Sequence, residues 1–256
     1  GIYVGYRYFD SFGIEPLFSF GYGLSYTEFD IRLCGINTAS KGVTVTVEVE
    51  NTGTTYSGKE VVQLYATCPA GKLEKEYRRL VAFAKTGLLA PGQCEKLTLE
   101  IGLDKLTSYS EKEAAWILEK GTYVIWAGNS LEASAPCAVL NLDKEVVLTK
   151  TQNICPLKEE LEEMKQSSEK MTQKLAALLK FTEEKALPVM VLKAADVETR
   201  VVEYHSNAEC VPAEAREFVD TLSTEKLVAL ASGDPGKGQG SNLGSAGISV
   251  PGSAGE

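Results

Sequence analysis

The segment Val43-Thr-Val45-Thr-Val47-Glu-Val49-Glu50 carries valine at every odd position and a polar residue at every even one. Successive side chains of an extended chain point to opposite faces, so this spacing builds a strand with one buried and one wetted face, and it fits no helix. Asn51-Thr-Gly53 ends the run. Such a strand needs partners beside it and a second layer over its apolar face.

The chain supplies them. Between Ser25 and Leu142, further short runs read as strands at Tyr26 to Ile31, Glu60 to Ala66, Arg79 to Leu88, Glu95 to Ile101, Thr122 to Ala127 and Ala135 to Leu142, seven in all. In the fifth, Leu97, Leu99 and Ile101 point inward. Tyr56-Ser-Gly58, Ala90-Pro-Gly92, Glu119-Lys-Gly121 and Gly128-Asn-Ser130 punctuate the runs as turns. This rhythm predicts a mainly β chain, built on a seven-strand antiparallel sandwich of the immunoglobulin or fibronectin type III kind. Tyr123, two residues after Gly121, stands where either a tyrosine corner or an ordinary half-buried strand aromatic would stand.

The flanks read differently. Residues 1–24 hold eight aromatics and five glycines with no period of 2 or 3.6, which suggests irregular backbone packed against another domain. From Pro156, the residues Leu157, Leu161, Met164, Ser168, Met171, Leu175 and Leu178 follow a heptad stripe, predicting a helix to about Lys185. Its apolar face packs either on its own protein or on a second copy as a coiled coil. Pro188 to Lys193 and Glu198 to Tyr204 then read as a hairpin. Pro212 opens a helix to about Thr221, and Ser223 caps another to Ala231. Ser232 to Gly247 reads as a loop.

Little here carries chemistry. The formal charge is −9, from 26 basic and 35 acidic residues, which disfavours nucleic acid and anionic membrane surfaces as partners. Nor is any apolar run long enough for a membrane span. Cys34, Cys68, Cys94, Cys137, Cys155 and Cys210 show no Cys-x-x-Cys spacing and have only His205 to join them, so we expect no metal site, and read them as small buried hydrophobes in a reducing, cytoplasmic setting. The glycines at 236, 238, 240 and 244 match neither phosphate-binding fingerprint, and no Gly-x-Ser-x-Gly elbow accompanies His205. Thus no cofactor is expected. Glu48, Glu50 and Glu100 fall on outward strand positions. Asp10 is expected to pair with Arg7 and lock the irregular segment, and Trp116 and Trp126 are expected to face the core. Lacking an initial Met and stopping in a glycine-rich stretch, the chain reads as a piece of a longer polypeptide.

Gly1-Ile-Tyr-Val-Gly-Tyr-Arg-Tyr-Phe-Asp10 and Pro16-Leu-Phe-Ser-Phe-Gly-Tyr-Gly-Leu-Ser-Tyr-Thr-Glu-Phe29, with Glu60-Val-Val-Gln-Leu-Tyr65 and Gly121-Thr-Tyr-Val-Ile-Trp-Ala-Gly128, resemble glycoside hydrolase family 3, the β-glucosidase family. The resemblance implies that residues 1–24 end an α/β-sandwich domain and that 25–142 form a fibronectin type III-like domain. Glu217 to Gly233 and Gly247 to Glu256 are similar to the opening of the family's (β/α)8 barrel. Residues 212–256 would then be its truncated start, in a permuted domain order, with 143–211 a linker of long helix and hairpin.

The resemblance further implies a retaining hydrolysis of β-linked glucosides or related sugars through two carboxylates. No Asp here precedes Trp, so the family's nucleophile motif is absent, and its acid/base Glu would lie upstream of Gly1. No catalytic residue is therefore assigned. Glu256 is the one substrate-binding candidate, placed roughly where family members carry a sugar-binding Asp. The implied partner is a small carbohydrate, the substrate of the full-length enzyme, with a homo-oligomer also open. The rival expectation is a non-catalytic β-sandwich module that binds carbohydrate or protein.

Overall fold

The computed structural model describes residues 1–159, 161–204 and 211–232. The chain divides into two units, Gly1–Tyr204 and His205–Glu256. In the first, the expected sandwich forms from strands β1 (Phe29–Ala39), β2 (Gly42–Asn51), β3 (Val61–Thr67), β4 (Arg79–Lys85), β5 (Cys94–Gly102), β8 (Gly121–Gly128) and β9 (Ala135–Leu142). Three short strands that the sequence reading left out, β6 (Ser108–Ser110), β7 (Ala115–Leu118) and β10 (Val146–Lys150), join it. Runs of three to five residues are too short for alternation to stand out.

One sheet has the order β1-β2-β5 and is antiparallel throughout. Its inward face is the valine ladder, with Val43, Val45, Val47 and Val49 at most 1% exposed. Across the core lie Val62, Leu64, Ala66, Tyr123, Ile125 and Leu140, from a larger sheet centred on β9-β8-β3-β4. Strand β1 begins later than expected and runs on to Ala39, with a bulge between Leu33 and Gly35 that interrupts its alternation. Tyr123 makes the corner: its hydroxyl donates to the Glu119 carbonyl at 2.7 Å, four residues back, and its ring is 1% exposed. Tyr123→Phe leaves that buried carbonyl without its hydroxyl donor, and we expect a loss of about 1 kcal/mol in urea unfolding.

The larger sheet is buried on both faces. Tyr65, Val124 and Trp126 point away from the first core into a second one, so β3 is buried on both faces. Two helices cover this outer face. The first, α1 (Tyr6–Phe12), corrects the irregular reading of residues 1–24; it is closed by Gly13 at φ 68, a left-handed conformation suited to glycine. The second, α2 (Ser168–Glu184), corrects the start of the long helix: the stripe is helical only from Ser168. Met171, Leu175 and Leu178 rest on the second core, so this face packs on its own protein. Leu157, Leu161 and Met164 remain 57–67% exposed, and helix there would gain no apolar cover.

The expected hairpin is also corrected. Strand β11 (Val189–Leu192) adds in parallel to β9, whereas β12 (Arg200–Val201) adds in parallel to β10 in the four-stranded sheet β12-β10-β7-β6. Between them a 3-10 turn at Ala194–Asp196 is held by the Asp143 carboxylate, which accepts the Ala194 amide at 2.7 Å. Two open sheet edges offered unpaired backbone groups, and satisfying both separated the strands. Residues 189–201 thus form a strap joining the two sheets.

In the second unit, α3 (Ala213–Asp220) and α4 (Thr224–Ser232) match the expected helices, and the Ser223 hydroxyl accepts the Lys226 amide at 3.3 Å as a cap. His205, Cys210, the glycine-rich loop and Glu256 lie outside the described residues. No described helix is long and apolar enough to cross a membrane.

Candidate functional site

Strand β4 is an edge strand, and residues 77–80, at its entry, bind side chains of α1. Residues four apart share a helix face, so Tyr6 and Asp10 point the same way, with Ser11 beside them. The Ser11 hydroxyl accepts the Tyr77 amide at 2.9 Å, and the Tyr6 hydroxyl accepts the Leu80 amide at 2.7 Å. Between them Arg78 meets Asp10 in a two-pronged pair, Nε to Oδ2 at 2.9 Å and Nη2 to Oδ1 at 2.7 Å. Both side chains are nearly buried, 12% and 8% exposed.

Arg78 is saturated further. Its Nη1 donates to the Leu131 carbonyl at 2.9 Å and to the Ser134 hydroxyl at 3.0 Å, and its plane lies 4.7 Å from the Trp126 ring centre. Lys174 on α2 donates to the Asp10 carbonyl at 2.6 Å and sits 3.7 Å above the Tyr77 ring. Burial holds the Lys174 ammonium below its usual range, partly offset by Asp10. The first helix, the sandwich and the second helix therefore meet around Asp10 and Tyr77. Asp10 locks the segment as expected but through Arg78 rather than Arg7, which instead lies 4.0 Å from Glu76. Nothing local marks Arg78, because its partner is 68 residues away.

Over this hub opens a cavity of about 580 Å³, walled by Phe9, Ile14, Phe18 and Phe20, with Arg78 and Lys174 among its lining. Tyr6 stacks on Phe20 at 4.6 Å. Beyond it the chain leaves Leu17, Leu24 and Tyr26 at least 90% exposed. A second charged centre lies below: the Glu119 carboxylate accepts the Lys72 and Leu73 amides at 2.6 and 3.3 Å and pairs with Lys75, both side chains under 10% exposed. Each of these charges is matched by a fixed partner. The arrangement can hold segments together. Among the described residues, no three His, Cys, Asp or Glu groups gather as a metal cluster would.

Other expectations divide. Glu48 and Glu50 point outward and share Arg32, while Glu100 is exposed. Cys68 is buried, and burial raises its thiol; Cys137 is half-buried and pushed up to about 12. Cys34, Cys94 and Cys155 are exposed, against the expectation of buried thiols. Trp126 is buried as expected, its Nε1 donating to Thr67 at 2.9 Å. Trp116 is 44% exposed, which overturns its core placement: on β7 the alternation sends Ala115 and Ile117 inward and Trp116 out.

Residues 60–131 match the family described as the fibronectin type III-like domain. Over 153 residues the chain is 41% identical to a β-glucosidase of Ruminococcus albus, an alignment spanning 57% of this chain and 16% of that one. A β-glucosidase structure from Paenibacillus barengoltzii superposes with a TM-score of 0.57 at 39% identity, covering 59% of this chain and 18% of that one. The structure of β-glucosidase 3B from Thermotoga neapolitana in complex with glucose gives 0.51 at 40% identity, covering 56% and 20%. The chain thus spans about a sixth to a fifth of the length of these relatives.

Proposed function

We propose that this glycoside hydrolase family 3, β-glucosidase-like chain is an internal piece of a retaining glycosidase that removes terminal β-linked glucose or a related sugar. Retention needs a nucleophile and an acid/base carboxyl about 5–5.5 Å apart. Both belong to parts of the parent outside this chain. Residues 1–24 end its α/β-sandwich domain, 25–142 are the fibronectin-like domain, 143–211 the linker, and 212–256 the start of a barrel that comes last. Glu256 would touch the sugar there. A cytoplasmic setting and a small carbohydrate partner complete the reading.

The observation that carries it is that likeness to β-glucosidases coincides with a sandwich that binds the preceding aromatic segment through the nearly buried Arg78–Asp10 pair. The sandwich buttresses; it does not cleave. Exchanging the matched 153 residues of the Ruminococcus albus enzyme for those of this chain should keep p-nitrophenyl β-glucoside hydrolysis within about tenfold, since no catalytic group changes. The isolated chain should release no nitrophenol. Hydrolysis by the isolated chain, or an inactive but folded chimera, would sink the reading.

A further inference from the structure

The four-stranded sheet carries a row that neither the buttress nor the expected motifs account for. Its register places Tyr109 opposite Trp116, Trp116 opposite Thr149, and Thr149 opposite Arg200, one residue from each of β6, β7, β10 and β12. Residues directly opposite in a ladder share a face, so the four stand side by side across the sheet. At ~4.8 Å between neighbouring strands the row is roughly 14 Å long.

Its chemistry changes along its length. At one end the Tyr109 and Trp116 rings meet, with centres 5.2 Å apart and planes at 56°, forming one aromatic ledge. Trp116 is 44% exposed although an indole of that size is normally well covered. At the other end the Arg200 Nε donates to the Thr149 hydroxyl at 3.0 Å, which fixes the guanidinium beside the ledge. Arg200 is exposed, and among the described residues no carboxylate forms an ion pair with it, so its terminal nitrogens are a planar two-pronged donor open to a ligand.

We propose that the face carrying Tyr109, Trp116 and Arg200, with the buried Thr149 holding the guanidinium, is a binding site for a pyranoside chain with equatorial hydroxyls. Such a ring is apolar on both faces, where its axial hydrogens lie, and polar around its rim. The face lies on the indole, and neighbouring rim hydroxyls accept the paired donors of Arg200. An axial hydroxyl interrupts the apolar face and lifts it from the ledge. A purely hydrophobic partner would leave the guanidinium desolvated and unpaired, which burial penalises. The site needs none of the parent's catalytic groups.

Titration of the 256-residue chain with cellohexaose, followed by isothermal calorimetry, tests this. Saturable binding is expected. It should weaken about tenfold in Trp116→Ala, the scale of one lost stacking ring, and about fivefold in Arg200→Gln. Trp116→Phe should recover most of the loss, and unchanged melting of every variant shows that folding is intact. A hexamer of β-linked galactose, with its axial hydroxyl, should bind at least about fivefold more weakly than cellohexaose. The proposal fails if cellohexaose does not bind, if Trp116→Ala binds within about twofold of the parent, or if the two sugars bind alike. It also fails if the chain instead self-associates through Trp116 in sedimentation.

Discussion

Arg78→Ala is expected to destabilise the Gly1–Tyr204 unit by about 3–5 kcal/mol in urea unfolding, the cost of stranding one member of a buried ion pair. The variant leaves the Asp10 carboxylate 8% exposed with no guanidinium, and it deprives the Leu131 carbonyl and Ser134 hydroxyl of their donor. Trp126 loses its stacked cation as well. Domains of ordinary stability hold only ~5–15 kcal/mol, so this one change should consume a large share. Arg78→Lys should recover little, because a point charge cannot span both Asp10 oxygens. Should both variants unfold within about 1 kcal/mol of the parent, Arg78 is not the junction of the fold.

Glu119→Ala should cost a comparable ~3–5 kcal/mol, since it leaves the Lys75 ammonium buried alone and frees the amides of Lys72 and Leu73. Its pH dependence distinguishes it. Burial pushes the Glu119 carboxyl up, but Lys75 and the two amides outweigh burial, and it titrates below its ordinary value of 4.5. A carboxyl with a lowered folded value holds fewer protons folded than unfolded, so its stabilisation is complete above 4.5 and fades as pH falls through the folded value. The parent should therefore lose stability on acidification across that range. Glu119→Gln should be less stable at neutral pH and should flatten the acid limb; an unchanged limb would mean that the Lys75 pair contributes nothing measurable.

Both residues show where reading from sequence stops. The valine ladder of β2 was legible because alternation is a local property of extended backbone, and it needs only a core to face. Tyr123 was half legible: its place after Gly121 suggested a corner, while only the fold put its hydroxyl on the Glu119 carbonyl. The heptad stripe named the apolar face of α2 and overran its start, since periodicity does not say whether a surface waits to receive it. Helix α1 escaped because seven residues between glycines give fewer than two full repeats.

What the sequence by itself determined is part of the local conformation: the longer strands of the sandwich, the apolar face of α2, the turns, and the stretches resembling β-glucosidases. What only the tertiary structure decided is the pairing. Arg78 chose Asp10 over 68 residues, Lys75 met Glu119 over 44, the linker strands parted to separate sheet edges, and Trp116 turned outward beside Arg200. Local geometry acts through neighbouring peptide units and leaves a period in the chain. Charge and edge pairing are settled by which groups the folded core brings together and deprives of water, and no spacing in the sequence records that.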